Sequence, residues 1–114
     1  MAQVIVLSDL EAADNSDVLQ GTRLQTVPAG GFLTFELQSN ENDATNYFTT
    51  SIQMPNGDTP LNNVRIPAGN ADGEIDDRKK LMITLPISQG GHTVFSVDET
   101  GTAILAWRIT YSPA

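Results

Sequence analysis

A two-residue period recurs along this chain, and no stretch sustains a period of 3.6. In residues 32–38, Leu33, Phe35 and Leu37 fall on one side and Thr34, Glu36 and Gln38 on the other. Phe48, Thr50, Ile52 and Met54 repeat the pattern, and so do Leu81, Ile83, Leu85 and Ile87. The last run is the longest, with Ala103, Leu105, Trp107, Ile109 and Tyr111 sharing a face. Successive side chains of a strand point to opposite faces, so this alternation marks strands with one dry and one wet side. Pro28-Ala29-Gly30-Gly31, Pro55-Asn56-Gly57-Asp58 and Gln89-Gly90-Gly91-His92 supply turns between the runs.

The runs, with a compact apolar segment at Val4-Ile5-Val6-Leu7, predict about eight short antiparallel strands around one core. The fold class is all-β, a sandwich or barrel of Greek-key or jelly-roll type. The 114 residues make a single domain, with residues 1–20 read as an N-terminal strand plus an acidic arm. In residues 18–27 the pattern is mixed and Leu24 is the expected core residue. Pro86 marks its strand as an edge or as ending early. Residues 93–97 and 103–111, separated by a short link containing Gly101, predict a hairpin.

Charge narrows the function. Six Lys and Arg stand against 14 Asp and Glu, a net charge of −8. Nucleic-acid binding needs clustered cations, and the one cluster, Arg78-Lys79-Lys80, follows directly on Asp76-Asp77. No direct nucleic-acid contact is expected, and the same charge opposes an anionic membrane. The apolar runs are too short for a membrane-spanning helix or a secretory signal. There are no cysteines, which removes disulfides, thiolate metal sites and cysteine nucleophiles.

Chemistry-bearing residues are sparse. Asn70, Asp72, Glu74 and Asp76 alternate in an acidic loop and form the best Ca²⁺ candidate, although a distal bidentate Glu is missing. A solvated loop is the simpler reading, so no metal or cofactor is expected. His92 is the single histidine. A Ser-His-Asp triad would need it with Ser88 or Ser96, and no nucleophile-elbow motif accompanies it. No catalytic residue is assigned. Trp107 and Tyr111 share a face, which would suit sugar stacking if exposed; alternation with Leu105 and Ile109 favours core packing instead.

Val4-Ile5-Val6-Leu7 and Ile104-Leu105-Ala106-Trp107 are apolar on both faces. A lone sandwich leaves one face of each sheet in water, so two-faced apolar strands predict that some outer surface is covered by another copy or a larger assembly. The candidate interface residues are Val4, Val6, Asp9 and Glu11 at the start, and Arg108 and Tyr111 at the end. The acidic segment of residues 8–17 would reach a neighbour.

The chain opens Met1-Ala2-Gln3-Val4-Ile5-Val6. It carries Val27-Pro28-Ala29-Gly30-Gly31-Phe32-Leu33-Thr34-Phe35 and closes Ala106-Trp107-Arg108-Ile109-Thr110-Tyr111-Ser112-Pro113-Ala114. In size, strand texture and a tail ending in a strand, it resembles the small all-β decoration (cement) proteins of tailed-phage capsids. That resemblance implies a non-enzymatic virion structural protein, made in the host cytoplasm and carried on the outer capsid surface. It implies homo-oligomers, trimers favoured, with the major capsid protein as partner. The alternative is a carbohydrate- or receptor-binding β-sandwich module, and a small hydrolase comes third.

Overall fold

The computed structural model describes residues 3–69, 75, 76 and 79–114. Among these residues seven strands form: β1 (Ile5–Glu11), β2 (Gly31–Ser39), β3 (Tyr47–Gln53), β4 (Leu61–Arg65), β5 (Leu81–Ile87), β6 (Val94–Thr100) and β7 (Leu105–Pro113). They make two antiparallel sheets in the orders β1-β7-β2-β5 and β4-β3-β6. The architecture is sandwich-like, not a closed barrel. No helix occurs among the described residues, so none is long and apolar enough to cross a membrane.

Alternation places the core. Leu33, Phe35 and Leu37 from β2 and Leu105, Trp107, Ile109 and Tyr111 from β7 point inward from one sheet. Phe48 and Ile52 from β3, with Phe95 and Val97 from β6, meet them from the other. Phe95 links the layers, edge-on to Phe35 at 5.4 Å and to Trp107 at 6.3 Å between centroids. Such edge contacts suit the ring quadrupoles and add to the apolar burial.

Seven strands agree with the expected count of about eight, and residues 18–27, where the pattern is mixed, form none. Successive turns (Gln20 N–H to Asp17 O, Thr22 N–H to Leu19 O, Gln25 N–H to Thr22 O) drop Val18, Leu19, Leu24 and Val27 into the core. The expected hairpin between the last two strands is absent, because β6 pairs with β3 and β7 lies between β1 and β2. Asparagine side chains make this crossing feasible. Asn46 Oδ1 accepts from Thr102 N–H at 2.8 Å and Asn40 Oδ1 from Ile104 N–H at 2.7 Å. Those amides then need no partner strand. Gly101, at φ 79°, sits where a Cβ would run into Thr45 O and Asn46 Oδ1.

Pro86 does stand on an edge strand. β5 pairs only with β2, and Pro86 lies opposite Phe32.

Candidate functional site

The outer face of the four-stranded sheet gathers most of the exposed large apolar side chains. Residues paired across antiparallel strands share a face. One row therefore runs Val6, Thr110, Thr34, Thr84, and the next runs Ser8, Arg108, Glu36, Met82. Leu10 and Ala106 begin a third, while Phe32 stands between Ser112 and Pro86 at the far end. Val6 is 56% exposed, Leu10 50%, Phe32 45% and Met82 56%. Val4, with the same parity as Val6 and just ahead of β1, is 60% exposed. In the middle of the face, Thr34 and Thr84 share a hydroxyl hydrogen bond of 3.0 Å.

An ion cluster of one carboxylate and two cations sits among these side chains. Arg108 donates through Nε to Glu36 Oε2 at 2.5 Å and through Nη2 to Oε1 at 2.9 Å. Lys80 Nζ donates to the same Oε1 at 2.6 Å. The Arg108 guanidinium, bidentate on the carboxylate, is the main reason that Glu36 titrates at about 2; burial opposes the shift and Lys80 adds to it. Only 7% of Glu36 is exposed, so its charge needs these partners.

Gln38 fastens Asp76 and Lys79 to β2. Its Nε2 donates to Asp76 O at 3.1 Å and Lys79 O at 2.8 Å, and its Oε1 accepts from Asp76 N–H at 2.7 Å. Gly69 makes room for it, since a Cβ there would overlap the Gln38 amide.

The sequence candidates distribute unevenly. Val4 and Val6 are exposed on the outer face, and Arg108 lies on it but grips Glu36. Asp9 and Glu11 are on the edge strand β1, where Asp9 Oδ1 accepts from Leu10 N–H at 2.8 Å. Tyr111 is no surface residue: it is fully buried, and its hydroxyl donates to Ala29 O at 2.9 Å. Trp107 is buried too, so these two aromatics form no exposed platform. Asn70, Asp72 and Glu74 lie outside the described residues, and the backbone of Asp76 is bonded to Gln38 at both N–H and C=O. Among the described residues, no three acidic or histidine side chains converge as a metal site.

His92 Nε2 meets Asp17 Oδ2 at 3.0 Å, while the Ser96 hydroxyl donates to Ser51 O. The His-Asp contact instead helps pin residues 12–18 to their own β6. There, Asn15 and Val97 exchange backbone hydrogen bonds of 2.9 Å, Val18 N–H donates to Phe95 O, and Asp14 Oδ1 accepts from Glu99 N–H at 2.6 Å. Asp14, Asn15 and Asp17, from the segment expected to reach a neighbour, are therefore held along their own sandwich edge.

Phe32, Leu10, Met82 and the pair Glu36–Lys80 were not singled out by the sequence. Phe32 has the parity of Thr34 and Glu36, so the alternation of β2 already carried its outward direction. Lys80 reaching Glu36 depends on a contact 44 residues apart, which no local pattern encodes.

No family model matches the chain, and no curated protein matches it either.

Proposed function

We propose that this protein is a non-enzymatic virion structural protein, a decoration protein that binds and stabilises a capsid shell as a homo-oligomer. The observation that supports this reading best is the outer sheet face. Val6, Leu10, Phe32 and Met82 stand exposed there around an ion cluster in which Glu36 pairs with both Arg108 and Lys80. A sheet face whose charged groups are already paired, with apolar side chains around them, can be covered by another protein without stranding an unpaired charge. The resemblance to phage cement proteins names the partner: the major capsid protein, on the outside of the virion. The net charge of −8 suits a protein kept apart from packaged DNA.

The mechanism is linkage. A protein that binds the assembled, expanded shell and not its disassembled parts stabilises the shell by its binding free energy, repeated at every site. Mass spectrometry of purified particles whose genome encodes the chain tests this. The chain is expected in amounts comparable to the major capsid protein; its absence from particles would refute the proposal.

A further inference from the structure

The four outermost strands differ in what they offer. β5 turns Pro86, which has no N–H, toward its free side. β6 has Asn15 and Val18 bonded along its side. β4 spans only Leu61–Arg65 and is bent at Asn63, whose φ is 53°. β1 is regular throughout its seven residues and, among the described residues, pairs with β7 on one side only.

The free side of β1 can be read residue by residue. Leu10 N–H donates to the neighbouring Asp9 carboxylate, so it faces away from β7. Alternation along the strand turns the main-chain groups of Val6 and Ser8 the same way. Unpaired main-chain groups in a row are a template for another strand.

We propose that β1 pairs antiparallel with β1 of a second copy about a two-fold axis at Ser8, joining two four-stranded sheets into one continuous sheet. In this register Ser8 faces the partner's Ser8, and Val6 faces the partner's Leu10. Each of those pairs exchanges two main-chain hydrogen bonds. Val6 and Leu10, each at least half exposed in the single chain, cover one another on the outer face. On the opposite face Leu7 stands across from the partner's Asp9, and Ile5 across from the partner's Glu11. No carboxylate stands directly opposite a carboxylate.

Neighbouring registers are worse. Moving the axis to Asp9 sets the two Asp9 side chains against each other. Moving it to Leu7 leaves Glu11 beyond the end of the partner strand and loses the Val6–Leu10 pairs. The acids thus select the register that the apolar residues favour. They also weaken the pairing, since four carboxylates gather at the junction and Asp9 must release Leu10 N–H. Association should therefore strengthen with salt. This contact makes pairs, not the trimers that the resemblance implies, and it stands whether or not the protein binds a shell.

Sedimentation equilibrium of the full chain tests it, from about 0.01 M to about 1 M NaCl, over which the Debye length falls from about 30 to about 3 Å. The mass is expected to rise from 12.3 kDa to twice that value as salt increases. Ser8→Pro removes an N–H that the β1–β7 ladder does not use, and should weaken pairing at least about tenfold. Leu10→Asp, at an exposed position, should do the same and serves if the proline variant misfolds. Asp9→Ala frees Leu10 N–H, removes repulsion and should strengthen pairing. A monomer at every salt concentration, a trimer, or a dimer unmoved by Leu10→Asp would overturn the proposal.

Discussion

Arg108 and Glu36 lie directly opposite each other on β7 and β2, and the guanidinium holds both carboxylate oxygens. The pair places a full ionic contact in the middle of a sheet face. Its worth lies less in stability than in what its loss leaves behind. Arg108→Met leaves Lys80 on Glu36 and should cost about 1–2 kcal/mol, whereas Glu36→Met removes the carboxylate that both cations share and should cost about 3 kcal/mol. Urea unfolding of the two variants checks the order.

The same carboxylate sets an acid limit. Its value falls from 4.5 to about 2 on folding, chiefly through Arg108. A depressed carboxylate contributes fully above its unfolded value and loses that contribution as pH falls through the folded one. Between pH 4.5 and about 2 the native protein should lose up to about 3 kcal/mol that Glu36→Gln does not lose. Parallel denaturant titrations at pH 5 and pH 2.5 compare the slopes.

Close backbone approach makes one glycine hard to replace. A Cβ on Gly31 would lie 2.2 Å from Ser112 O and 2.9 Å from Pro113 Cα, both backbone atoms of the adjoining strand. Gly31→Ala should therefore push β2 from β7 and cost about 1–3 kcal/mol. Gly57→Ala meets no atom within 4 Å, but it carries φ 94°, so any loss there comes from the turn conformation alone. Thermal unfolding separates the effects if hydrogen exchange shows the β2–β7 amides opening in the first variant and not in the second.

Tyr111 illustrates a functional expectation turned into a structural one. Its hydroxyl donates to Ala29 O from a fully buried position. Tyr111→Phe keeps the ring and leaves that carbonyl short of a donor, at a cost of about 1–2 kcal/mol. Shell binding should be unchanged once the variant is folded, which a pelleting assay measures.

The strands were legible because alternation is a local signal. β2, β3, β5 and β7 show it in their own residues, while Pro86 left β5 open between an edge and an early end, which the sheet order decides for the edge. The connection between β6 and β7 was not legible. A short link with a glycine suits a hairpin, and only Asn40 and Asn46, distant in sequence, supply the hydrogen bonds that let the chain cross sheets. Leu19 was missed because consecutive turns have no period, and burial there reflects where the segment ends up. Of the surface, Val4 and Val6 were visible as the outer half of a two-faced strand. Arg108 was visible as an outward residue, but its hold on Glu36 depends on strand order, which the sequence does not state.

Pelleting with expanded, empty shells tests the central claim most directly. The native chain is expected to sediment with the shells at saturable stoichiometry and to raise their thermal stability, while Phe32→Asp with Met82→Asp, both at exposed positions, stays folded and remains in the supernatant. Native chain left in the supernatant, or a double variant that binds as well as the native one, would contradict it.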